Sequence, residues 1–205
     1  MTFGNGVHRI IESRAAAHGD AIALVGRDRT LTYRELNQRG NALARHLITR
    51  GFRRGSRAIV TMGACPELAL VLLAVLKAGG AYTWFDHDEG SDGPSGISLE
   101  QDGQGDGRCI TIDIQEALAA SGHAGPNLPI LTRADDVACV LPRRNGCPGV
   151  PVPHAAITAL QARPLPLKSD WSCAPDAFNL WRPLMAGATV TLTTASPGTD
   201  TAAAA

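Results

Sequence analysis

The stretch Val140–His154, VLPRRNGCPGVPVPH, has the outline of a phosphate-binding loop. It follows an apolar DVACVL and leads into PHAAITAL, which starts like a helix, and glycine-rich loops between a strand and a helix often cradle phosphates. Its middle, Pro142–Pro148, contains no Ser, Thr or Lys. If a phosphate were held here, Arg143, Arg144, Asn145 and Gly146 would meet it, since arginine is a competent phosphate ligand. Two prolines supply no N–H and no hydroxyl completes a cage, so neither ATP nor another cofactor is expected.

Other residues nearby could do different chemistry. Cys147, beside Arg143 and Arg144, would have a lowered thiol pKa on an exposed loop, and His154 could serve it as a base. The simpler reading makes His154 a surface or first-turn histidine, and no third orienting group is visible in the sequence. Asp86–Glu89, DHDE, offers hard oxygens and an imidazole to a divalent ion, but such runs more often mark a solvated loop, and no metal site is expected.

These residues need elements to position them. Val7–Ala17 reads as an amphipathic helix, Ala21–Thr32 as a hairpin, and Thr32 with Glu35 as a capping box opening a helix that runs to about Arg50 and stops at Gly51. Arg57–Gly63 reads as a buried strand, Pro66–Lys77 as a helix with proline in its first turn, and Ala81–Asp86 as the next strand. That strand–helix–strand spacing is a parallel crossover unit. It predicts an α/β fold with a doubly wound, mostly parallel sheet and helices on both faces. Asp86–Asp106 is acidic and glycine-rich and reads as a flexible surface loop. RCITID reads as a strand, IQEALAAS as a short helix, DAFNLWRPLMAG as a helix and ATVTLTT as a strand. The expected domain covers residues 1–194, with 195–205 as a disordered tail.

The chain has 205 residues, with Lys plus Arg and Asp plus Glu balanced at 19 each, so no basic field argues for nucleic acid. No apolar run reaches the ~18 residues of a membrane span, and no signal pattern opens the chain, so a cytoplasmic location is expected. Five scattered cysteines without C-x-x-C read as reduced thiols, with Cys65 and Cys139 as small core residues. Trp84, Trp171 and Trp181 read as core or interface anchors.

LTYRELNQRGNALARHL followed by PELALVLLAVLKAGGAYTWFD resembles the N-terminal part of the adenylation domains of nonribosomal peptide synthetases, members of the adenylate-forming superfamily. MAGATVTL, Met185–Leu192, resembles a later block, so the likeness spans about Val7 to Leu192. The resemblance implies the fold of that N-terminal subdomain. It implies ATP and amino-acid binding, adenylate formation and transfer to a carrier-protein thiol. The family's triphosphate loop reads roughly Y-T-S-G-[ST]-T-G-x-P-K-G-V and then His. Here the flanks remain, through Gly149, Val150 and His154, while the hydroxyls and the lysine are missing and the interval from Cys139 to His154 is shorter. The family also places a Phe-Asp pair before a tryptophan-bearing helix to hold the substrate's ammonium. PDAFNLW keeps Asp176 and Trp181 but puts Pro175 for the Phe and changes the interval, so Asp176 reads either as a residual amino-acid site or as a helix N-cap.

The family's adenine, specificity and lid segments lie beyond the stretch resembled. The expectation is therefore a truncated, pseudoenzyme-like adenylation protein that has lost amino-acid activation. It would serve as a scaffold in natural-product biosynthesis, binding a carrier protein, a tailoring enzyme or its own copy as a homodimer. The alternative is a repurposed, ATP-independent enzyme using Asp176, His154 and Cys147. A decaying remnant is a third reading, opposed by the mutual agreement of the local signals.

Overall fold

The structure, a computed structural model, describes residues 6–85, 96–100, 109–113, 119, 125–129, 132–142, 149–159 and 177–192. Helix α1, Val7–Ala17, comes first and buries Val7, Ile11 and Ala15. Strands β1, Ile22–Val25, and β2, Thr30–Thr32, pair antiparallel as the expected hairpin. Thr32 then caps α2, Tyr33–Thr49: the Glu35 N–H donates to Thr32 Oγ1 at 3.2 Å and the Thr32 N–H returns a bond to Glu35 Oε2 at 2.9 Å. That returned N–H holds the Glu35 carboxyl below the usual carboxylate range. Leu36, Leu43 and Leu47 face inward at helical spacing, and Gly51, at φ 101°, takes the left-handed conformation that ends the segment.

Strand β3, Arg57–Thr61, leads to α3, Pro66–Lys77, and then to β4, Ala81–Phe85. β3 and β4 are parallel and in register from Arg57↔Ala81 to Thr61↔Phe85, so the crossover read from the sequence is present. Helix α3 is apolar all round and buried along nearly its whole length, as a helix packed on every side must be. Gly80 enters β4 where no Cβ fits: one built there would lie 2.3 Å from Phe52 Cζ and 2.6 Å from the Ser56 carbonyl oxygen.

Five more strands follow: β5 Gly96–Glu100, β6 Cys109–Asp113, β7 Val137–Leu141, β8 Val150–Pro153 and, after two helices, β9 Val190–Thr191. The helices are α4, His154–Thr158, and α5, Ala177–Ala186. A six-stranded sheet runs β6-β5-β3-β4-β7-β8, and a three-stranded one β2-β1-β9. The large sheet is α/β and helix-flanked, but its strands are mixed. β3, β4 and β7 form a parallel centre, while β5, β6 and β8 are antiparallel to their neighbours. Along β3, Ala58 and Val60 are buried on one face, while Arg57, Ile59 and Thr61 on the other are only half-buried; in β4 Ala81, Tyr82 and Thr83 are buried on both faces.

Two strands correct the sequence reading. Gly96–Glu100 lies inside the stretch expected to be a loop, yet it pairs with β3 from Arg57↔Glu100 to Thr61↔Gly96. The surrounding Gly and Asp hide a short period-two pattern, Ile97 and Leu99, and the open edge of β3 supplies the hydrogen bonds that make it a strand. β8, VPVP, carries two prolines, which a central strand cannot accommodate; it lies at the sheet's edge, where the missing N–H groups cost little. The rest of 86–106, most of the helix expected at IQEALAAS, Trp171 and the 195–205 tail lie outside the described residues.

Candidate functional site

The loop that raised the phosphate question joins β7 to β8. These strands pair antiparallel from Val137↔Pro153 to Leu141↔Val150, so the loop is the tip of a hairpin. The helix start read at PHAAITAL is present, with α4 opening at His154, but β8 lies between it and the loop and carries it to the hairpin's other end, away from the tip. The tip stands at the carboxyl end of β7, level with the carboxyl ends of β3 and β4, which is where ligands of open parallel sheets bind. Around this end Phe85 is 43% exposed and the Trp84 indole donates to the Met62 carbonyl at 2.8 Å. Gly149 closes the tip tightly: a Cβ there would lie 2.5 Å from Val140 Cγ1. Pro142 is exposed, while Arg143, Arg144, Asn145, Gly146 and Cys147 lie outside the described residues.

The base of the hairpin is held by many bonds. The His154 N–H donates to the Asp136 carbonyl at 3.0 Å and the Ala155 N–H to the Ala134 carbonyl at 2.8 Å. The Asp136 carboxylate accepts the Arg133 N–H at 2.8 Å and a two-pronged contact from Arg54, Nη2 to Oδ1 at 2.9 Å and Nε to Oδ2 at 3.2 Å. His154 itself is 0% exposed. Its Nδ1 accepts the Val7 N–H at 3.3 Å, and burial pushes its pKa down to about 4 despite the opposing charge of Asp136. Four strand rises of about 3.3 Å separate this imidazole's end of the hairpin from the end where the Cys147 segment begins and returns. His154 is thus a first-turn residue, as one reading held, but a sealed and neutral one.

Asp176 also lies outside the described residues, yet the helix it precedes is firmly placed. Trp181 is fully buried and its Nε1–H donates to the Tyr82 hydroxyl at 2.7 Å. The far end of α5 is fixed too. The Tyr33 hydroxyl lies 2.9 Å from the Leu184 carbonyl oxygen and 2.8 Å from that of Ala188, and Arg14 Nε donates to the Met185 carbonyl at 2.9 Å. These contacts satisfy carbonyls that a helix C-terminus leaves open.

A cleft of about 390 Å³ lies at the opposite edge of the sheet, where Arg57, Ala81 and Val137 open their strands. Arg54 and Asp136 stand on its rim, already paired with each other, over Val140 and Pro151. Cys65 is half-buried, and burial pushes its thiol up to about 11, so it is no nucleophile; Cys139 is buried. Asp86–Glu89 lies outside the described residues. Among the described residues no group of three His, Cys, Asp or Glu could hold a metal, and no helix is long and apolar enough to cross a membrane.

Sequence reasoning missed a buried ionic cluster. Lys77, with its side chain fully enclosed, donates to Glu12 Oε1 at 2.5 Å and to Asn37 Oδ1 at 2.8 Å, and Arg9 holds the other Glu12 oxygen. Burial lowers the Lys77 ammonium to about 8, with Glu12 resisting the shift. The signal was present: His8, Glu12 and Ala15 share one helical face with Val7 and Ile11, so the carboxylate had to point inward. A second polar seam joins Asn37 and Asn41 to Asn127 at 2.9 and 3.0 Å, and Arg45 to the Pro126 carbonyl. It lays residues 125–129 along α2.

Residues 11–93 match the family model described as AMP-binding enzyme. Tyrocidine synthase 1 of Brevibacillus parabrevis is 42% identical over 83 residues, 40% of this chain and 8% of that protein. Tyrocidine synthase 3 of the same organism is 34% identical over 174 residues, 76% of this chain and 3% of that one. The chain therefore spans only a small part of the length of these relatives. Among solved structures, the N-terminal subdomain of Klebsiella oxytoca NpsA superposes with a TM-score of 0.71 at 23% identity, over 98% of this chain and 57% of that one. That likeness shows the fold.

Proposed function

Since residues 11–93 of this chain carry the AMP-binding enzyme family's sequence on the fold of an adenylation N-terminal subdomain, we propose that it keeps the frame of an amino-acid-activating domain without its phosphate chemistry. In this reading it is a scaffold or partner-binding component of nonribosomal peptide biosynthesis in the cytoplasm. Its partners would be a carrier protein, a tailoring enzyme or a second copy of itself. One observation carries the reading. The loop at the β7–β8 tip sits where the sheet would present a phosphate, and Pro142–Pro148 contains no hydroxyl and no lysine to grip one.

A triphosphate held in a loop needs several N–H or O–H groups converging on its oxygens and a cation beside them. Two of the seven residues from Pro142 to Pro148 are prolines without N–H, and α4, the helix that follows the hairpin, begins at the far end from the tip, where its partial charge does not reach. Arg143 and Arg144 supply charge but not the cage. The hairpin base, α5 and the α2 cap meanwhile retain their bonds, which supports a frame kept for what it holds.

Calorimetric titration with Mg-ATP, followed by amino-acid-dependent pyrophosphate exchange, tests this directly. The expected outcome is no heat and no exchange. Micromolar ATP binding would sink the reading. Binding of a free amino acid without ATP would replace the scaffold by a repurposed enzyme. Sedimentation of the pure protein tests self-association: a monodisperse monomer at micromolar concentration would remove the second copy from the partners.

A further inference from the structure

Two buried imidazoles join the first turn of α1 to the first turn of α4, and nothing above uses them chemically. His8 is 4% exposed and His154 0%, with ring centroids 5.8 Å apart and planes inclined at 74°. The Val7 N–H donates to His154 Nδ1, so His154 is neutral and carries its proton on Nε2. His8 Nε2 lies 3.4 Å from Thr132 Oγ1. This leaves His154 Nε2 and His8 Nδ1 buried without a hydrogen-bond partner among the described residues.

Each further proton would enter a hostile place. Protonating His154 on Nδ1 turns the acceptor of the Val7 bond into a donor and sets two N–H groups against each other. It also places a cation at the positive end of the α1 dipole. For His8, burial acts first, and then the neighbouring His154, Lys77 and Arg9, all disfavouring the charged ring. Against these stands Asp136, which favours a charged His154. On α1 the remaining acid, Glu12, is committed to Lys77 and Arg9. The segment after Thr132 carries Arg133 and Asp135 besides Asp136, and Arg182 is the one charged residue in α5, so α5 brings no negative charge.

We propose that the His8–His154 contact is an acid-released latch: protonation of the pair detaches α1 from the hairpin base and α4 while α2, α3 and the sheet stay folded. Detachment exposes both imidazoles, His8 on α1 and His154 on α4, which then bind protons the closed form refuses. Opening is therefore favoured as pH falls below the ordinary histidine value. Release also separates Glu12 from Lys77 and Arg14 from the Met185 carbonyl, so acid loosens the hold of α1 on α3 and α5 together.

Hydrogen exchange on the full chain between pH 7.5 and 4.5, corrected for intrinsic rates, tests the latch. Protection of α1 amides is expected to fall about tenfold per pH unit below ~6.5 for each proton taken up, while α3 amides keep theirs. His154→Gln and His8→Gln should each flatten that slope. Loss of protection in α1 and α3 in step, a pH-independent α1, or an unchanged slope in His154→Gln would overturn the proposal. If the variants do not fold, ring-proton titration of the wild-type histidines decides. Rings that titrate freely near pH 6.5 while α1 stays protected refute the latch; rings that titrate only as α1 opens support it.

Discussion

The two ends of the β7–β8 hairpin are built on different terms. At the base, Asp136 is gripped by Arg54 and the Arg133 N–H, the backbone of His154 and Ala155 bonds to the preceding turn, and the imidazole is sealed against Val7 and His8. At the tip the neighbours are an exposed Pro142, a half-buried Gly149 and a loop sequence without hydroxyls or lysine. The base is part of the core, where breaking one of these bonds leaves a buried group unpaired and costs about 1–3 kcal/mol. Pro142 at the tip faces solvent, where a side chain contributes little to stability, so substitutions there are tolerated without unfolding the protein.

Breaking the held side should give the largest effect. Lys77→Met leaves the Glu12 carboxylate buried with Arg9 alone and is expected to cost about 3 kcal/mol in urea unfolding. Adding Glu12→Leu should recover most of that loss; a double variant as unstable as the single one would show that volume, not charge, decides here. Acid should weaken the same side. His154 has its folded pKa lowered to about 4, so its contribution is complete above the unfolded value near 6.5 and is lost as pH falls toward 4. The expected loss is about 3 kcal/mol over that window, read as the pH dependence of the urea midpoint, and His154→Gln should remove it.

A smaller effect is expected where a local cap, rather than burial, is removed. Thr32→Ala eliminates the hydroxyl of the capping box at the start of α2 and should cost about 1 kcal/mol in thermal or urea unfolding. The smallest belongs to the tip. Arg143→Ala with Arg144→Ala should shift stability by less than about 0.5 kcal/mol and leave the calorimetric response to Mg-ATP unchanged. A loss of ATP heat in that variant would show that the arginines had replaced the missing lysine, and the contrast between base and tip would fail.

Much of this arrangement was legible in the residues. The helices at Val7–Ala17 and Pro66–Lys77 have the bounds their patterns gave, the T-x-x-E box opens α2, and the β3–α3–β4 crossover is parallel. Local periodicity and capping act over a few residues, so they survive being read in one dimension. The misses share the opposite cause. β5 was hidden in an acidic, glycine-rich stretch and exists because β3 offers a free edge; β8 is a strand despite Pro151 and Pro153 because it ends the sheet.

Residue chemistry divides along the same line. From the sequence alone, Pro142–Pro148 has no hydroxyl and no lysine, and a side chain that is missing is missing in any fold. The meaning of His154 was decided only by tertiary structure. The same imidazole, on a solvated first turn, would titrate normally and could act as a base; pressed against Val7 and His8 it is neutral and structural. Lys77 likewise looks in sequence like an ordinary last-turn cation, and only the approach of α1 makes it half of a buried pair. Identity sets which bonds and charges are available, but burial sets what each one costs, and burial is a property of neighbours brought from far along the chain.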